Sequence, residues 1–159
     1  MQPTPQKEHD WLHQLVGSWS MESECKMGPD GDSIKSKARD VVKSLGGLWT
    51  IAEAEGTMPG SNELVRSVMT LGYDPMSKAF VGTFIASCMA QLWVYRGQLD
   101  SSGTTLTLDT EGPNFTDDGL AKYQDIITFH SKDHRTLESQ VQSADGSWTK
   151  FMTAHYHRQ

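Results

Sequence analysis

No segment of this chain holds an apolar run long enough to cross a bilayer as a helix, and its opening residues, Met1-Gln2-Pro3-Thr4-Pro5, lack both the basic and the apolar stretch of a secretion signal. A soluble, cytoplasmic protein without a membrane partner is the expectation. Cysteine is scarce. Cys25 and Cys88 lie far apart and match no CxxC or zinc spacing, so they read as two buried free thiols of a reducing compartment, with one long-range disulfide as the alternative. Clustered positive charge is also missing: 14 Lys and Arg against 20 Asp and Glu leave a formal charge of -6, which argues against a nucleic-acid partner. The one basic alternation, Lys35-Ser36-Lys37-Ala38-Arg39, reads as a solvated strand face. Neither a Gly-x-Ser-x-Gly elbow nor a phosphate-cradling glycine loop occurs, so nucleophilic catalysis and nucleotide binding have no support. His9 and His13 are spaced i, i+4 but have no third ligand nearby, and a solvated helix face is expected for them.

What the chain has in quantity is extended, alternating sequence. The stretch from Leu71 to Leu99 is the most readable. Tyr73-Asp74-Pro75-Met76 sets proline at the second position of a turn, with the Asp74 carboxylate placed to cap the bend. Apolar and β-branched residues flank it, Leu64 to Leu71 before and Phe80 to Ile85 after, and a second hairpin runs from Gln91 to Leu99 through Asp100-Ser101-Ser102-Gly103.

Ahead of these, Thr4-Pro5 reads as a helix start. Trp11, Leu12, Leu15 and Val16 form one apolar stripe, and Gly17 supplies a left-handed stop, which predicts a helix over 4–16. From Gly17 to Arg158 strands and turns alternate. In Ser33 to Leu45, Ile34, Ala38 and Val42 share one parity and the lysines the other, and Asp145-Gly146 is a strong hairpin signal before the last strand. The tally is about ten strands in up-and-down order with short connections. That pattern predicts one all-β domain over 1–159: a short N-terminal helix and an antiparallel barrel over 17–158, with a sandwich as the competing architecture.

Several of these segments also carry a family likeness. Gly17-Ser18-Trp19, Gly46-Gly47-Leu48-Trp49, Met58-Pro59-Gly60, Leu71-Gly72-Tyr73-Asp74-Pro75 with Phe80-Val81-Gly82-Thr83, Gly97-Gln98-Leu99-Asp100 and Tyr156-His157-Arg158 together resemble the bacterial domain of unknown function 1579 family, over nearly the whole chain. The resemblance implies a calycin-like barrel, related in shape to lipocalins and fatty-acid-binding proteins, with no assigned activity. One departure is visible: where the family pattern has Trp-x-Asp-Ser, this chain has Phe84-Ile85-Ala86-Ser87, which puts any activity that uses the aspartate in doubt here. The Gly-x-Trp motif is lipocalin-like too. Trp19 is then either the floor of a ligand site or a core plug, and the plug is the favoured reading.

Candidate ligand contacts follow from parity. Tyr123, Asp125, Ile127 and Phe129 share a face of the eighth strand, so Asp125 is expected to point inward among aromatics. A buried carboxylate must be paired or protonated. It therefore serves a ligand, an acid–base step, or a structural pair with an inward arginine. Arg96 shares parity with Leu92 and Val94 on the sixth strand, and Arg66 with Leu64 and Val68 on the fourth. Either arginine, turned inward, holds a ligand carboxylate or neutralises Asp125 or Asp40. The candidate ligand-binding set is thus Trp19, Arg66, Arg96, Tyr123 and Asp125, with no catalytic residue and no metal ligand.

The leading functional expectation is a small, largely apolar ligand inside the barrel, with methionines such as Met21, Met27, Met69, Met89 and Met152 supplying an adaptable wall. An acid–base enzyme using an inward carboxylate is the first alternative. A homodimer through the Phe80–Tyr95 region is the second, because that hairpin is apolar on both faces and a barrel in water needs only one such face. The competing explanation is that the N-terminal helix covers it. No cofactor is expected. Haem is a weak alternative, because His155 and His157 share parity with Phe151 and the related nitrobindin-type barrels use one strand histidine, but Ser20-Met21-Glu22-Ser23 stands in place of that family's glycine-rich repeat. An outward, solvated histidine face is the ordinary reading.

Overall fold

The structure, a computed structural model, describes residues 3–26, 30–58 and 61–159. Met27 and the turn glycines and prolines at 28, 29, 59 and 60 lie outside that set. A single helix, α1 (Lys7–His13), precedes ten strands: β1 (Gly17–Lys26), β2 (Ser33–Leu45), β3 (Trp49–Thr57), β4 (Leu64–Asp74), β5 (Ala79–Ala86), β6 (Trp93–Leu99), β7 (Thr105–Pro113), β8 (Leu120–Ser131), β9 (His134–Gln142) and β10 (Trp148–Arg158). Each strand pairs antiparallel with its neighbour in sequence, and β1 pairs with β10, so the sheet closes and leaves no edge. The competing sandwich is thereby excluded.

The turn at Asp74 forms as expected. Its Oδ1 accepts the Met76 N–H at 2.9 Å and its Oδ2 accepts the Ser77 hydroxyl at 2.6 Å. The helix is shorter than its apolar stripe suggests. Gln6, not Thr4, is the N-cap, because the His9 ring can accept the Gln6 backbone N–H, Nδ1 to N at 2.8 Å, and close the first turn. Past His13 the chain tightens into three-residue turns, Leu15 N–H to Leu12 carbonyl and Val16 N–H to His13 carbonyl, and Gly17 then opens β1 at φ +138°. The solvated face expected for His9 is corrected as well. Its ring is buried, edge-on to Tyr73 with centroids 5.8 Å apart, while His13 reaches the Ser44 hydroxyl.

The helix stoppers one end of the barrel. Trp11 packs edge-on against Phe80 and Phe129, and its indole N–H donates to the Gly103 carbonyl at 2.6 Å. Arg158, at the end of β10, donates to the Val16 and Gln14 carbonyls at 2.8 and 2.9 Å, tying the last strand to the groups that the helix leaves unsatisfied. The fully buried large side chains, Leu12, Trp19, Leu71, Phe80, Leu106, Leu108 and Ile127, all belong to this helix-side half. Each such burial contributes about 1.5–3 kcal/mol. The other half of the barrel, beneath the loops that join β1 to β2, β3 to β4, β5 to β6, β7 to β8 and β9 to β10, is not filled in the same way.

Candidate ligand cavity

A cavity of about 710 Å³ occupies that half and reaches the surface at the loop end. Met21, Met58, Met69, Met89 and Met152 line it with Phe84, Trp93, Phe115, Tyr123 and Phe151, so the wall is rich in methionine; Met27 lies outside the described residues. The aromatics interlock. Tyr123 lies edge-on to Trp93, Phe115 and Phe151, at centroid distances of 5.1, 6.1 and 6.1 Å. Trp93 lies close against β7 because Gly112 has no side chain: a Cβ there would fall 2.3 Å from the indole ring.

Alternation explains most of the lining. On β8, Tyr123 and Asp125 face the cavity and Ile127 continues into the core, as parity requires. On β10 the pattern breaks. Lys150 pairs with Gln140 but Met152 pairs with Ser139, and the extra residue, Phe151, turns into the cavity together with its neighbour Met152. Phe151 therefore leaves the face of His155 and His157, which are exposed on the outer wall. There His134 stacks on both of them, and His130 lies 4.8 Å from it. Among the described residues, no histidine lines the cavity and no group of three His, Cys, Asp or Glu is placed to hold a metal ion.

The two arginines expected inside are outside. Val65, Ser67 and Met69 line the cavity from β4, so Arg66 projects outward, where it meets Glu55 directly opposite on β3 at 2.8 Å. On β6, Trp93 and Tyr95 face in, which turns Leu92, Val94 and Arg96 to solvent, and the Arg96 guanidinium donates to the Ser77 carbonyl. Both strands are apolar on the two faces, and register with the neighbouring strands, not residue type, decides which face is inward. The thiols also depart from expectation: Cys25 is half-buried, and Cys88 is exposed at the mouth.

The inward arginine is one that the alternation on β9 signals but that strand-by-strand inspection of β4 and β6 missed. Arg135 shares parity with Leu137 and Ser139, is fully buried, and donates to Asp40 Oδ2 at 2.9 Å. Its guanidinium is stacked on Tyr156 at 3.8 Å and faces Trp19 at 4.7 Å, with Arg158 at 4.2 Å from the same indole. Trp19 is wholly buried, donates its N–H to the Leu15 carbonyl, and lines neither the large cavity nor the smaller space beside Arg135, which is the plug geometry. A smaller space of about 50 Å³ adjoins Asp40 and Arg135, whose Oδ1 and Nε have no partner among the described residues, and it is large enough for a bridging water. Tyr156, walled into this layer, has its hydroxyl pushed up to about 12, chiefly by burial.

Asp125 thus has no arginine. Its Oδ2 accepts the Tyr95 hydroxyl and its Oδ1 the Ser139 hydroxyl, both at 2.5 Å. The pairing of Arg96 with Asp109 sets Tyr95 beside Thr110, and Asp125 lies opposite Ser139, so Tyr95, Thr110, Asp125 and Ser139 form one polar arc across β6 to β9. Thr110 is nine-tenths buried and its hydroxyl has no partner among the described residues. Tyr123 closes the arc toward the mouth, its hydroxyl donating to the Pro113 carbonyl at 2.6 Å. Burial raises the Asp125 carboxyl above the ordinary range, against the lowering effect of the two hydroxyls, and burial together with the facing carboxylate raises the Tyr95 hydroxyl.

A raised carboxyl pKa means that the folded chain binds the Asp125 proton more tightly than the unfolded chain does. Stability from this group is therefore full below the unfolded value of about 4 and is lost as pH rises through the folded value. Asp125→Asn, neutral at every pH, is expected to gain stability relative to the parent as pH rises above the ordinary carboxylate range and to lose that gain on acidification. Paired urea titrations of the two proteins from pH 3 to 8 measure it, and a difference independent of pH would contradict the assignment.

An antiparallel ten-strand barrel, stoppered by one helix and hollow at the other end, is a calycin-like architecture. The chain belongs to the family described as Protein of unknown function (DUF1579), whose pattern it matches over residues 4–158. No curated protein sequence matches significantly. Among solved structures it is similar to the crystal structure of Rv2717c from M. tuberculosis, with 13% identity, TM-score 0.67 and coverage of 98% of this chain and 99% of that one. It is likewise similar to the S-type phycobiliprotein lyase CPES from Guillardia theta, with 14% identity, TM-score 0.64 and coverage of 99% and 98%. A third is the barrel EF1p2_mFAP2b bound to DFHBI, with 14% identity, TM-score 0.51 and coverage of 95% and 98%. At these identities the likeness concerns the fold.

Proposed function

We propose that this barrel binds a small, largely apolar molecule in its interior. The observation that carries the reading is the cavity itself: about 710 Å³, walled largely by methionine and aromatic side chains, open at one end and crossed by a polar arc. That size lies within the range of small-molecule sites, roughly 300–1,000 Å³. A barrel of similar fold holding DFHBI supports it. Tyr123 and Asp125 are the ligand contacts retained from the sequence, joined by Trp93, Tyr95, Thr110 and Ser139.

A neutral, environment-sensitive dye such as Nile red tests this. Saturable one-to-one fluorescence enhancement is expected. It should be abolished by Ala86→Trp, which projects an indole from β5 into the cavity. Enhancement that does not saturate, or that survives the substitution, would place the dye elsewhere and remove the support.

Two further readings attach to particular observations. Asp125 stands beside open space and is not locked to arginine, the arrangement an acid–base enzyme needs, although both of its oxygens already accept hydroxyl hydrogens. The outer face of β5 and β6 exposes Ile85, Leu92 and Val94, and α1 packs on the barrel end against β3 and β4 and leaves this face uncovered. A second copy of the chain seated there is the corresponding proposal. Light scattering tests it: a dimer that becomes a monomer in Leu92→Lys/Val94→Lys is the expected result, and a monomeric parent would reject it.

A further inference from the structure

The polar arc also defines the chemistry of the occupant, an inference that rests on the binding reading above. We propose that the ligand carries a protonated nitrogen, and that its ammonium group docks on Asp125 while its apolar body fills the aromatic and methionine wall.

The argument begins with which charges the cavity offers. Of its described lining residues only Lys37, Glu55 and Asp125 carry an amine or carboxyl group, and the first two sit at the rim, already paired with Glu22 and Arg66 on the outside. Among these lining residues Asp125 has the one carboxyl group at depth. A carboxylate or phosphate head group would find no cation to meet it. Arg66 and Arg96 point to solvent, and Arg135 is engaged by Asp40 and held between Tyr156 and Trp19 in the layer beneath. An anionic ligand would set its negative charge against the Asp125 carboxyl in a water-poor space, in a chain whose formal charge is already -6.

A cation meets the opposite situation. Each Asp125 oxygen accepts one hydroxyl hydrogen, from Tyr95 or Ser139, and a carboxylate has about four acceptor positions in all, so about two remain unused. Thr110 adds a buried hydroxyl with no partner in the same arc, on the neighbouring strand. An ammonium has three donors, which matches two carboxylate positions and one hydroxyl. The rings of Trp93, Tyr95 and Tyr123 line the same cavity, and aromatic faces attract cations. A neutral apolar ligand would leave both the carboxylate positions and the Thr110 hydroxyl unsatisfied.

The test uses three probes with one ring system: 2-naphthylmethylamine, 2-naphthylmethanol and 2-naphthoic acid, titrated calorimetrically at pH 7. The amine is expected to bind at least about tenfold more tightly than the alcohol, in line with a charge-assisted hydrogen bond, and the acid most weakly. Asp125→Asn should abolish the preference for the amine, bringing its affinity to that of the alcohol for the same variant. Thr110→Val, which leaves the charge in place, should weaken the amine by about threefold. Thermal melts of both variants establish that they fold. An alcohol or acid binding as tightly as the amine, or an amine preference that survives Asp125→Asn, would overturn the cation inference and leave the cavity reading intact. Failure of all three probes to bind the parent would overturn the cavity reading, and the inference with it.

Discussion

Arg135→Ala is expected to lower the free energy of unfolding by about 3–5 kcal/mol, because it leaves the Asp40 carboxylate buried without its cation. Both side chains are almost wholly inaccessible, 4% and 6% exposed, and the pair lies at 2.9 Å. The guanidinium also fills the space between Trp19 and Tyr156, so its removal costs packing as well as charge. The proportions can be separated. Burial raises the Asp40 carboxyl while the Arg135 charge and hydrogen bond pull it back down, so in Arg135→Ala the carboxyl rises further and the variant should recover stability on acidification. Asp40→Asn/Arg135→Met removes both charges at nearly constant volume and is expected to be less destabilised than Arg135→Ala. Urea titrations of the three proteins decide the matter. A single variant that loses less than about 1 kcal/mol would show that the pair contributes no more than an exposed one.

Trp19→Ala should be destabilising to a similar degree, about 3–5 kcal/mol, the usual range for removing a large buried aromatic. The indole is 0% exposed, its N–H serves the Leu15 carbonyl at the end of the helix segment, and its ring faces two guanidinium groups. Losing it opens a hole, orphans a carbonyl, and deprives Arg135 and Arg158 of the surface between them. Trp19→Phe keeps the ring and loses the hydrogen bond, and is expected to cost about 1–2 kcal/mol. Because Trp19 lines neither cavity, amine affinity of the folded Trp19→Phe protein should remain within about twofold of the parent. A large loss of affinity at unchanged stability would instead make it the floor of the ligand site.

Much of this site was legible before any coordinates. The inward face of β8, Tyr123 and Asp125 with Ile127 beyond, follows from alternation alone, whereas the methionine wall was suggested by composition and the plug position of Trp19 by the lipocalin-like Gly-x-Trp motif. The arginines were not legible in the same way. Arg66 and Arg96 sit on strands with apolar residues at both parities, so local sequence carries no sign of which face is wet. The histidine and phenylalanine relation on β10 failed for a different reason, since one bulged residue between Lys150 and Met152 reverses the parity of everything before it.

The sequence by itself determined the all-β class, the order and number of strands, the turn chemistry at Asp74-Pro75 and Asp145-Gly146, and the inward carboxylate, because each depends on residues adjacent along the chain. Only the tertiary structure decided that the barrel closes through β1 and β10, that Arg135 and not Arg66 or Arg96 is the buried cation, and that Tyr95, Thr110, Asp125 and Ser139 meet in one arc. Those outcomes depend on register between strands far apart in sequence, where one residue of slip exchanges inside for outside. The hollow at the mouth belongs to the same group, because a volume left unfilled is a property of all the walls together.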